Sequence, residues 1–205
     1  AVRASAGVTD SSGVTAWADQ IGNLLFTASA NKPSLTTDAN GKAVIRFSAA
    51  SSQKLVCNSL AIDPTKDFTI FASFSCASVT AERNIIDLAN HGKSSRIGMS
   101  VTTYGTKRGY AYGDTGAWSI NNQNGLGGFT VSNNVRHVAV LMRKSNRLFS
   151  QLDGSAWSES DFNAETFTLT GTVSTSIGAM WGPGAGNYVD FFNGDIYEID
   201  WKKSA

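Results

Sequence analysis

Apolar and polar residues alternate along much of the chain, which is the pattern of half-buried β-strands. Phe68, Ile70, Ala72, Phe74 and Cys76 occupy every second position of one such stretch. No segment keeps the 3.6-residue period of an amphipathic helix. The alternation predicts strands over Lys42–Phe47, Lys54–Cys57, Asp67–Ala77, Asn84–Leu88, Arg96–Thr102, Val135–Arg143, Arg147–Leu152, Thr166–Leu169, Ser176–Met180 and Asp195–Trp201.

Turn signals separate these strands, at Asn40-Gly41, Gly113-Asp114, Asp153-Gly154 and Asn193-Gly194. Such dipeptides favour tight turns, because Gly and Asn tolerate a positive φ. Many short strands joined by turns of this kind predict an all-β protein, an antiparallel sandwich or barrel. Neither a linker nor an internal repeat divides the sequence, so we expect a single domain over residues 1–205.

The composition agrees with this fold class and narrows the range of partners. The sequence has 25 Ser and 18 Thr, and charged residues are only 16%. Ser, Thr and Gly are poor helix formers, whereas Thr suits strands. Lys+Arg is 17 and Asp+Glu is 16, which leaves a net charge of +1 and no electrostatic signature of a nucleic-acid-binding protein. The longest apolar runs are too short to span a bilayer, so we expect neither nucleic acid nor membrane insertion.

The two cysteines are too few for a metal site or a disulfide framework. Cys76 continues the apolar alternation of its strand, which predicts a buried position. Free cysteine is among the most buried residue types. We therefore expect Cys57 and Cys76 to be unbridged thiols.

Several motifs follow one another in the order of a known family. They are Val14-Thr-Ala-Trp17-Ala-Asp19-Gln-Ile-Gly22-Asn23, then Asn40-Gly41-Lys42-Ala-Val-Ile-Arg46-Phe47, then Leu152-Asp153-Gly154, and finally Phe192-Asn-Gly194-Asp-Ile196-Tyr-Glu198-Ile199. In this order the chain resembles the laminin-G-like domains of the concanavalin A-like lectin/glucanase superfamily. The resemblance implies a jelly-roll sandwich of two antiparallel sheets, with the last strand pairing near the first. Residues 103–134 do not match the family pattern.

The sequence lacks one of the two carboxyl groups that a retaining glycoside hydrolase on this fold would need. Glu198-Ile-Asp200-Trp-Lys202 is similar to the Glu-x-Asp-x-(x)-Glu motif of family-16 glycoside hydrolases, which share this fold. A retaining hydrolase needs two carboxyl groups about 5–5.5 Å apart, and lysine stands where the second Glu would be. We therefore expect that the protein is not an enzyme.

Two further enzyme classes are also disfavoured. Tyr104, Arg96 and Gln123 are residue types that a polysaccharide lyase uses, but the strand motifs of lyases are missing. His91 and His137 are isolated, which argues against a nucleophilic triad. His137 lies on an alternating strand, and we interpret it as a structural histidine.

The resemblance also implies a possible calcium site at a rim of the sandwich, because many laminin-G-like domains bind this ion. Calcium takes six to eight oxygen ligands, which loops can supply. The candidate ligands are Asp114, Asn187, Asp190, Asn193 and Asp195. Since no Asp-x-Asp-x-Asp run is present, we expect no cofactor, with calcium as the alternative.

Aromatic residues near polar, Gly-rich segments are the remaining candidates for a binding site. Tyr110 and Tyr112 stand two positions apart, so on a strand they point to the same face. Trp118 follows them closely, and Trp181 and Tyr188 bracket the segment Gly-Pro-Gly-Ala-Gly-Asn. An aromatic ring with a polar edge suits stacking on a sugar. We predict that these five residues form a carbohydrate-binding face.

These observations favour a non-catalytic, lectin-like module that recognises a polysaccharide or a glycosylated surface. The alternative is a structural or adhesion domain of a larger assembly, such as a phage decoration or tail-fibre protein. A polysaccharide-degrading enzyme is the third reading. The first two interpretations, a binding module and an adhesion domain, predict a location outside the cell or on a virion surface.

Overall fold

The computed structural model describes residues 1–21, 23–63, 65–91, 95–102, 106–112, 129–161, 172–182 and 187–203. Nearly all regular structure within these residues is β-strand, apart from one 3₁₀ turn over Ala49–Ser51. The strands are β1 (Val2–Arg3), β2 (Val8–Asp10), β3 (Val14–Ala18), β4 (Leu25–Ala28), β5 (Ser34–Thr37), β6 (Ala43–Phe47), β7 (Leu55–Cys57), β8 (Phe68–Cys76), β9 (Arg83–Asn90) and β10 (Arg96–Val101). They continue with β11 (Thr106–Tyr112), β12 (Phe129–Thr130), β13 (His137–Lys144), β14 (Arg147–Leu152), β15 (Ser158–Asp161), β16 (Val173–Ile177), β17 (Met180–Trp181), β18 (Tyr188–Val189) and β19 (Gly194–Lys203).

The strands form two large antiparallel sheets. Sheet A has the order β15-β14-β13-β8-β19-β6-β5, and β1 also pairs with β19. Sheet B has the order β12-β11-β10-β9-β16-β7-β4-β3-β2. Strands β17 and β18 pair with each other as a separate two-stranded hairpin. The expected all-β jelly-roll sandwich is therefore confirmed. No helix in the described portion is long and apolar enough to cross a membrane.

The core lies between the inner faces of the two sheets. On sheet A the alternating side chains of β8 point inward, and Ile70, Ala72 and Phe74 are each at most 1% exposed. They meet the inward residues of sheet B, which belong to the same buried cluster. Trp17 and Phe47, the large apolar residues of the first two family-like motifs, both belong to this cluster. Burying a large apolar side chain contributes about 1.5–3 kcal/mol, so this interface accounts for much of the stability.

The first and last strands pair, which is a second expectation that the structure confirms. Val2 lies opposite Ile199, and Arg3 lies opposite Glu198. The Nε atom of Arg3 donates to Oε1 of Glu198 at 2.7 Å. β19 is also the central partner of β8 and β6, so the C-terminal strand lies in the middle of sheet A.

The alternation predicts the long central strands correctly and misses several short ones. The stretch Asp67–Ala77 corresponds to β8, and Arg147–Leu152 is β14 with the same bounds. β1 to β5, β11, β12, β15, β17 and β18 are not predicted. Except for β11, which has seven residues, they are two to five residues long, and several carry exposed or polar side chains at successive positions, so the sequence has no clear period there. The predicted strand Thr166–Leu169 lies outside the described residues.

His137 has the structural role that the strand pattern predicts. It is 5% exposed, and its Nε2 atom accepts a hydrogen bond from the backbone N–H of Ser132 at 3.1 Å. The proton therefore sits on Nδ1, which lies 2.6 Å from Oδ2 of Asp153. Asp153 also accepts from the backbone N–H of Val138 through Oδ1. His137 thus ties the start of β13 to the turn after β14.

Both cysteines are free and buried, as expected. Burial raises the pKa of Cys76 to about 12.

We expect no alkylation of Cys76 in the folded protein at neutral pH, because only the thiolate reacts. Mass spectrometry without reductant should find two modified thiols after unfolding. A protein that stays unmodified when unfolded would contradict the unbridged state.

Candidate functional site

The outer face of sheet B carries polar side chains that are fully buried. Gly98 in β10 lies between Asp87 of β9 and Tyr110 of β11 in the strand register. A Cβ atom on Gly98 would lie 2.6 Å from the Tyr110 hydroxyl oxygen, so the tyrosine crosses the space that a side chain would fill. The hydroxyl reaches the next strand and donates to Oδ1 of Asp87 at 2.9 Å. A glycine inside a strand is a known mark of such close approach.

Asp87 is the centre of this network. Its Oδ2 accepts from the backbone N–H of Trp181 at 3.0 Å. Asn84 donates through Nδ2 to the Tyr110 hydroxyl at 2.7 Å, and Nη2 of Arg96 donates to the carbonyl of Trp181. We call Asn84, Asp87, Arg96 and Tyr110 the Asp87 network. It anchors the backbone of β17 over the outer face of sheet B.

Burial and neighbouring groups have opposite effects on the pKa of Asp87. Burial raises the pKa of Asp87, while the nearby charge of Arg96 and the hydrogen bond from Trp181 act to lower it. Burial also raises the pKa of Tyr110 well above its ordinary value, and the Asp87 charge adds to this effect. The phenol therefore stays protonated and remains a donor to Asp87 at neutral pH.

One atom in this network lacks a partner. Oδ1 of Asn84 is buried and accepts no hydrogen bond from the residues that the structure describes. An unsatisfied buried oxygen costs about 1–3 kcal/mol. Such groups are rare in native proteins.

Three rings lie next to the network and form what we call the aromatic cluster: His91, Trp181 and Tyr188. The His91 and Trp181 rings are stacked, with centroids 3.8 Å apart and an interplanar angle of 3°. Tyr188 meets Trp181 edge-on at 5.0 Å. All three residues are half-buried. The Lys54 ammonium lies 4.9 Å from the centroid of the Tyr188 ring, within the range of a cation–π interaction.

Local geometry fixes the orientation of these rings. Trp181 pairs with Tyr188 across β17 and β18. Nε2 of His91 lies 2.6 Å from the hydroxyl of Ser174. Burial lowers the pKa of His91, and the charge of Arg96 lowers it further. The imidazole is therefore neutral at pH 7, and these contacts hold the three rings in fixed positions.

Trp181 and Tyr188, which the sequence places at the ends of a Gly-rich segment, come together in the structure. Tyr110 is linked to them through Asp87, which accepts hydrogen bonds from the Tyr110 hydroxyl and from the backbone N–H of Trp181. The expected exposure of Tyr110 is wrong: the residue is 2% exposed, because its ring lies over Gly98 and its hydroxyl is held by Asp87. Its ring offers no free face to a sugar.

Of the remaining aromatics of the predicted face, Tyr112 lies opposite Arg96 in the register of β10 and β11. Trp118 lies outside the described residues. Trp157, which is 46% exposed, belongs to a different surface and packs edge-on against Phe149 of sheet A.

Sequence reasoning missed Asn84, Asp87 and Lys54, and it did not connect His91 with Trp181. A signal was present in β9, where Asp87 interrupts the apolar run Ile85-Ile86-Asp87-Leu88. A charged residue inside a buried strand is rare unless it is paired.

The candidate calcium ligands are spread out or engaged. Asp195 holds Arg46 through two hydrogen bonds, at 2.7 and 2.9 Å. Asp114 lies outside the described residues. Among the residues that are described, no group of three or more His, Cys, Asp or Glu side chains is placed to hold a metal ion. The expectation of no cofactor, with calcium as the alternative, stays a prediction.

Comparisons with known proteins rest on structure, since no protein-family model and no curated protein matches the sequence. Domain 4 of AbnA, a GH43 extracellular arabinanase from Geobacillus stearothermophilus solved with arabinotriose, superposes with a TM-score of 0.64 at 11% identity, covering 91% of this chain and 86% of that one. The mouse laminin α1 chain, domains LG4-5, superposes with a TM-score of 0.52 at 15% identity over 72% of this chain and 38% of that one.

The fold is the concanavalin A-like jelly roll. The same fold is found in part of a Trypanosoma rangeli sialidase, with a TM-score of 0.58 at 11% identity, covering 95% of this chain but 29% of the sialidase. At these identities the likeness concerns the fold alone. Because one fold hosts many functions, the function has to be argued from the side chains.

Proposed function

We propose that the protein is a non-catalytic carbohydrate-binding module whose binding site is the aromatic cluster with the adjacent outer face of sheet B. The observation that carries this proposal is the arrangement of His91, Trp181 and Tyr188 above the Asp87 network. Half-buried rings provide stacking surface, and neighbouring polar groups provide hydrogen bonds to hydroxyls. A rigid arrangement lowers the entropy cost of binding.

The structural neighbours give this proposal indirect support. The arabinanase domain was solved in complex with arabinotriose, which gives a precedent for a sugar ligand on this fold. That arabinanase is extracellular, and we propose an extracellular location for this protein too. Assembly into a virion or another large particle remains an alternative prediction.

An enzymatic role is disfavoured by the chemistry of Glu198. Oε1 of Glu198 is engaged by Arg3 at 2.7 Å, and Lys202 follows on the same strand where a second glutamate would be needed. A lone engaged carboxylate does not supply the separate acid and nucleophile of glycoside hydrolysis. Release of reducing sugar from a polysaccharide, lost in Glu198→Gln, would contradict this part of the proposal.

The test of the binding site is a glycan array followed by titration calorimetry on the Trp181→Ala variant. We expect affinity for the array-selected glycan to fall about five- to tenfold, because a stacked aromatic contributes about 1–1.5 kcal/mol. The hydrogen bonds of Trp181 to Asp87 and Arg96 use its backbone, so alanine keeps them.

Trp157→Ala is the matched control, because it removes an exposed tryptophan from the other sheet. We expect it to leave affinity unchanged. An array without any retained glycan would refute the proposal. Equal affinities for the wild type, Trp181→Ala and Tyr188→Ala would place the site elsewhere.

A further inference from the structure

The outer face of sheet A contains a polar pocket. It lies on the side of the sandwich away from the aromatic cluster. It has a volume of about 500 Å³, within the range of small-ligand sites. Its floor is formed by outward residues of three neighbouring strands: Arg46 of β6, Asp195 and Tyr197 of β19, and Ser75 of β8. The turn after β5 and the segment before β13 form its walls.

The carboxylates of this pocket are already engaged. Asp195 accepts both hydrogen bonds from Arg46. Asp38 accepts from the backbone N–H groups of Asn40 and Lys42, each at 2.9 Å, and from the hydroxyl of Tyr197 at 3.1 Å. The backbone N–H of Lys42 is the main cause of a lowered pKa at Asp38. Asp38 is therefore ionised, and the hydrogen bonds that both acids already accept leave them little capacity for a ligand cation.

The cations of the pocket, in contrast, have unused donors. The guanidinium of Arg136 lies 4.5 Å from the centroid of the Tyr197 ring, and its Nε donates to the hydroxyl of Ser73 at 2.8 Å. These two contacts hold the planar group in place. Its terminal Nη atoms have no protein partner within the described ranges. The Lys42 ammonium likewise makes no hydrogen bond or salt bridge to a described residue.

The pocket continues along β8 into a second depression of about 290 Å³, which shares Arg136. This part is lined by Ser73, Phe71 and Val138 together with the charged side chains of Glu198, Asp200 and Lys202, so apolar and charged groups lie side by side in it. Glu198 is already engaged by Arg3. Ser75, Ser73 and Phe71 are successive outward residues, which span about 13 Å. A single inorganic ion would fill only a small part of this groove, whereas a short chain of sugar rings matches its length.

We infer that this groove binds an acidic oligosaccharide, with the carboxylate or sulfate group of one sugar on Arg136 and Lys42. An immobilised guanidinium is well suited to an oxyanion, because it can donate two parallel hydrogen bonds. Ser75 and Asn134 supply groups for sugar hydroxyls, and Phe71 supplies an apolar surface for the next ring. The inference goes beyond the proposed function, since the groove lies on the opposite sheet and shares no residue with the aromatic cluster.

Titration calorimetry with four probes tests this inference: an oligogalacturonate, a sulfated heparin oligosaccharide, a neutral galactose oligosaccharide of equal length, and poly-glutamate. We expect an acidic saccharide to bind at least tenfold more tightly than the neutral one, since a charged hydrogen-bond pair is worth about a tenfold change or more. The first two probes separate carboxylate from sulfate recognition. Equal binding of neutral and acidic saccharides, or tighter binding of poly-glutamate, would overturn the inference.

Substitutions then locate the site. Arg136→Gln should weaken binding of the acidic saccharide about tenfold, while Arg136→Lys, which keeps the charge but loses the planar fork, should have an intermediate effect. Arg147→Gln is the matched control, because Arg147 is half-exposed on the same sheet and pairs with Glu159. An unchanged affinity in Arg136→Gln would refute the inference, even if its melting temperature fell.

The Trp181→Ala variant distinguishes this inference from the proposed function. We expect it to bind the acidic saccharide as the wild type does. If binding is lost in Trp181→Ala and retained in Arg136→Gln, the acidic ligand belongs to the aromatic cluster. In that case the second site is wrong and the proposed function stands.

Discussion

Replacement of Asp87 by alanine is expected to lower the free energy of unfolding by about 3–5 kcal/mol, because it removes one partner from a buried charged network. Asp87 is 0% exposed, and its two oxygens accept hydrogen bonds from Tyr110 and from the backbone of Trp181. Without the carboxylate, both donors are left unsatisfied and the charge of Arg96 loses its nearby opposite charge. Urea-induced unfolding followed by circular dichroism measures the change.

Asp161→Ala is the control for this substitution. The side chain of Asp161 is 99% exposed and lies 3.8 Å from Arg147, so its removal should change stability by less than about 0.5 kcal/mol. A similar stability of Asp87→Ala and Asp161→Ala would show that the network contributes little to folding.

The same carboxyl group predicts a dependence of stability on pH. Burial raises the pKa of Asp87 in the folded protein above the 3.8 of the unfolded chain. Between these two values the folded state binds more protons, so the contribution of this group to stability falls as pH rises. Asp87→Asn cannot titrate. The stability of the wild type relative to Asp87→Asn should therefore decrease from pH 4 upward, and a constant difference would contradict the assigned direction.

The individual strands and turns were predictable from local sequence because their patterns involve residues that are close in the chain. The alternation of Ile70, Ala72 and Phe74 defines an inner face whatever strand lies beside it. Asn40-Gly41 and Asp153-Gly154 specify turns in the same local way, and Gly41 and Gly154 have φ of 74° and 73°. Short strands such as β5 are formed mainly by pairing with a neighbour, so their own residues carry little signal.

The candidate site was predictable only in part, since its contacts join distant segments. Trp181 and Tyr188 were predictable because they bracket a Gly-rich segment of the sequence. The stacking of His91 on Trp181 joins residues 90 positions apart, which no local pattern shows. The spacing of Tyr110 and Tyr112 indicates that they share a face, but it does not indicate whether that face is covered. Coverage depends on Gly98 and on the backbone of Trp181, which belong to other strands.

Replacement of Gly98 by alanine is expected to destabilise the protein by about 3 kcal/mol, from overpacking together with the loss of a buried hydrogen bond. A Cβ atom at this position would lie 2.2 Å from the carbonyl oxygen of Ile86 and 2.6 Å from the Tyr110 hydroxyl. The first neighbour is backbone and cannot rotate away, and displacement of the second breaks its hydrogen bond to Asp87.

Gly109→Ala on the adjacent strand is the matched control. The nearest neighbour of a Cβ atom there, at 2.6 Å, is the terminal methyl group of Leu141, which can shift. We expect a cost of about 1 kcal/mol there. Urea unfolding of both variants measures the difference, and equal costs would mean that Tyr110 does not need the space above Gly98.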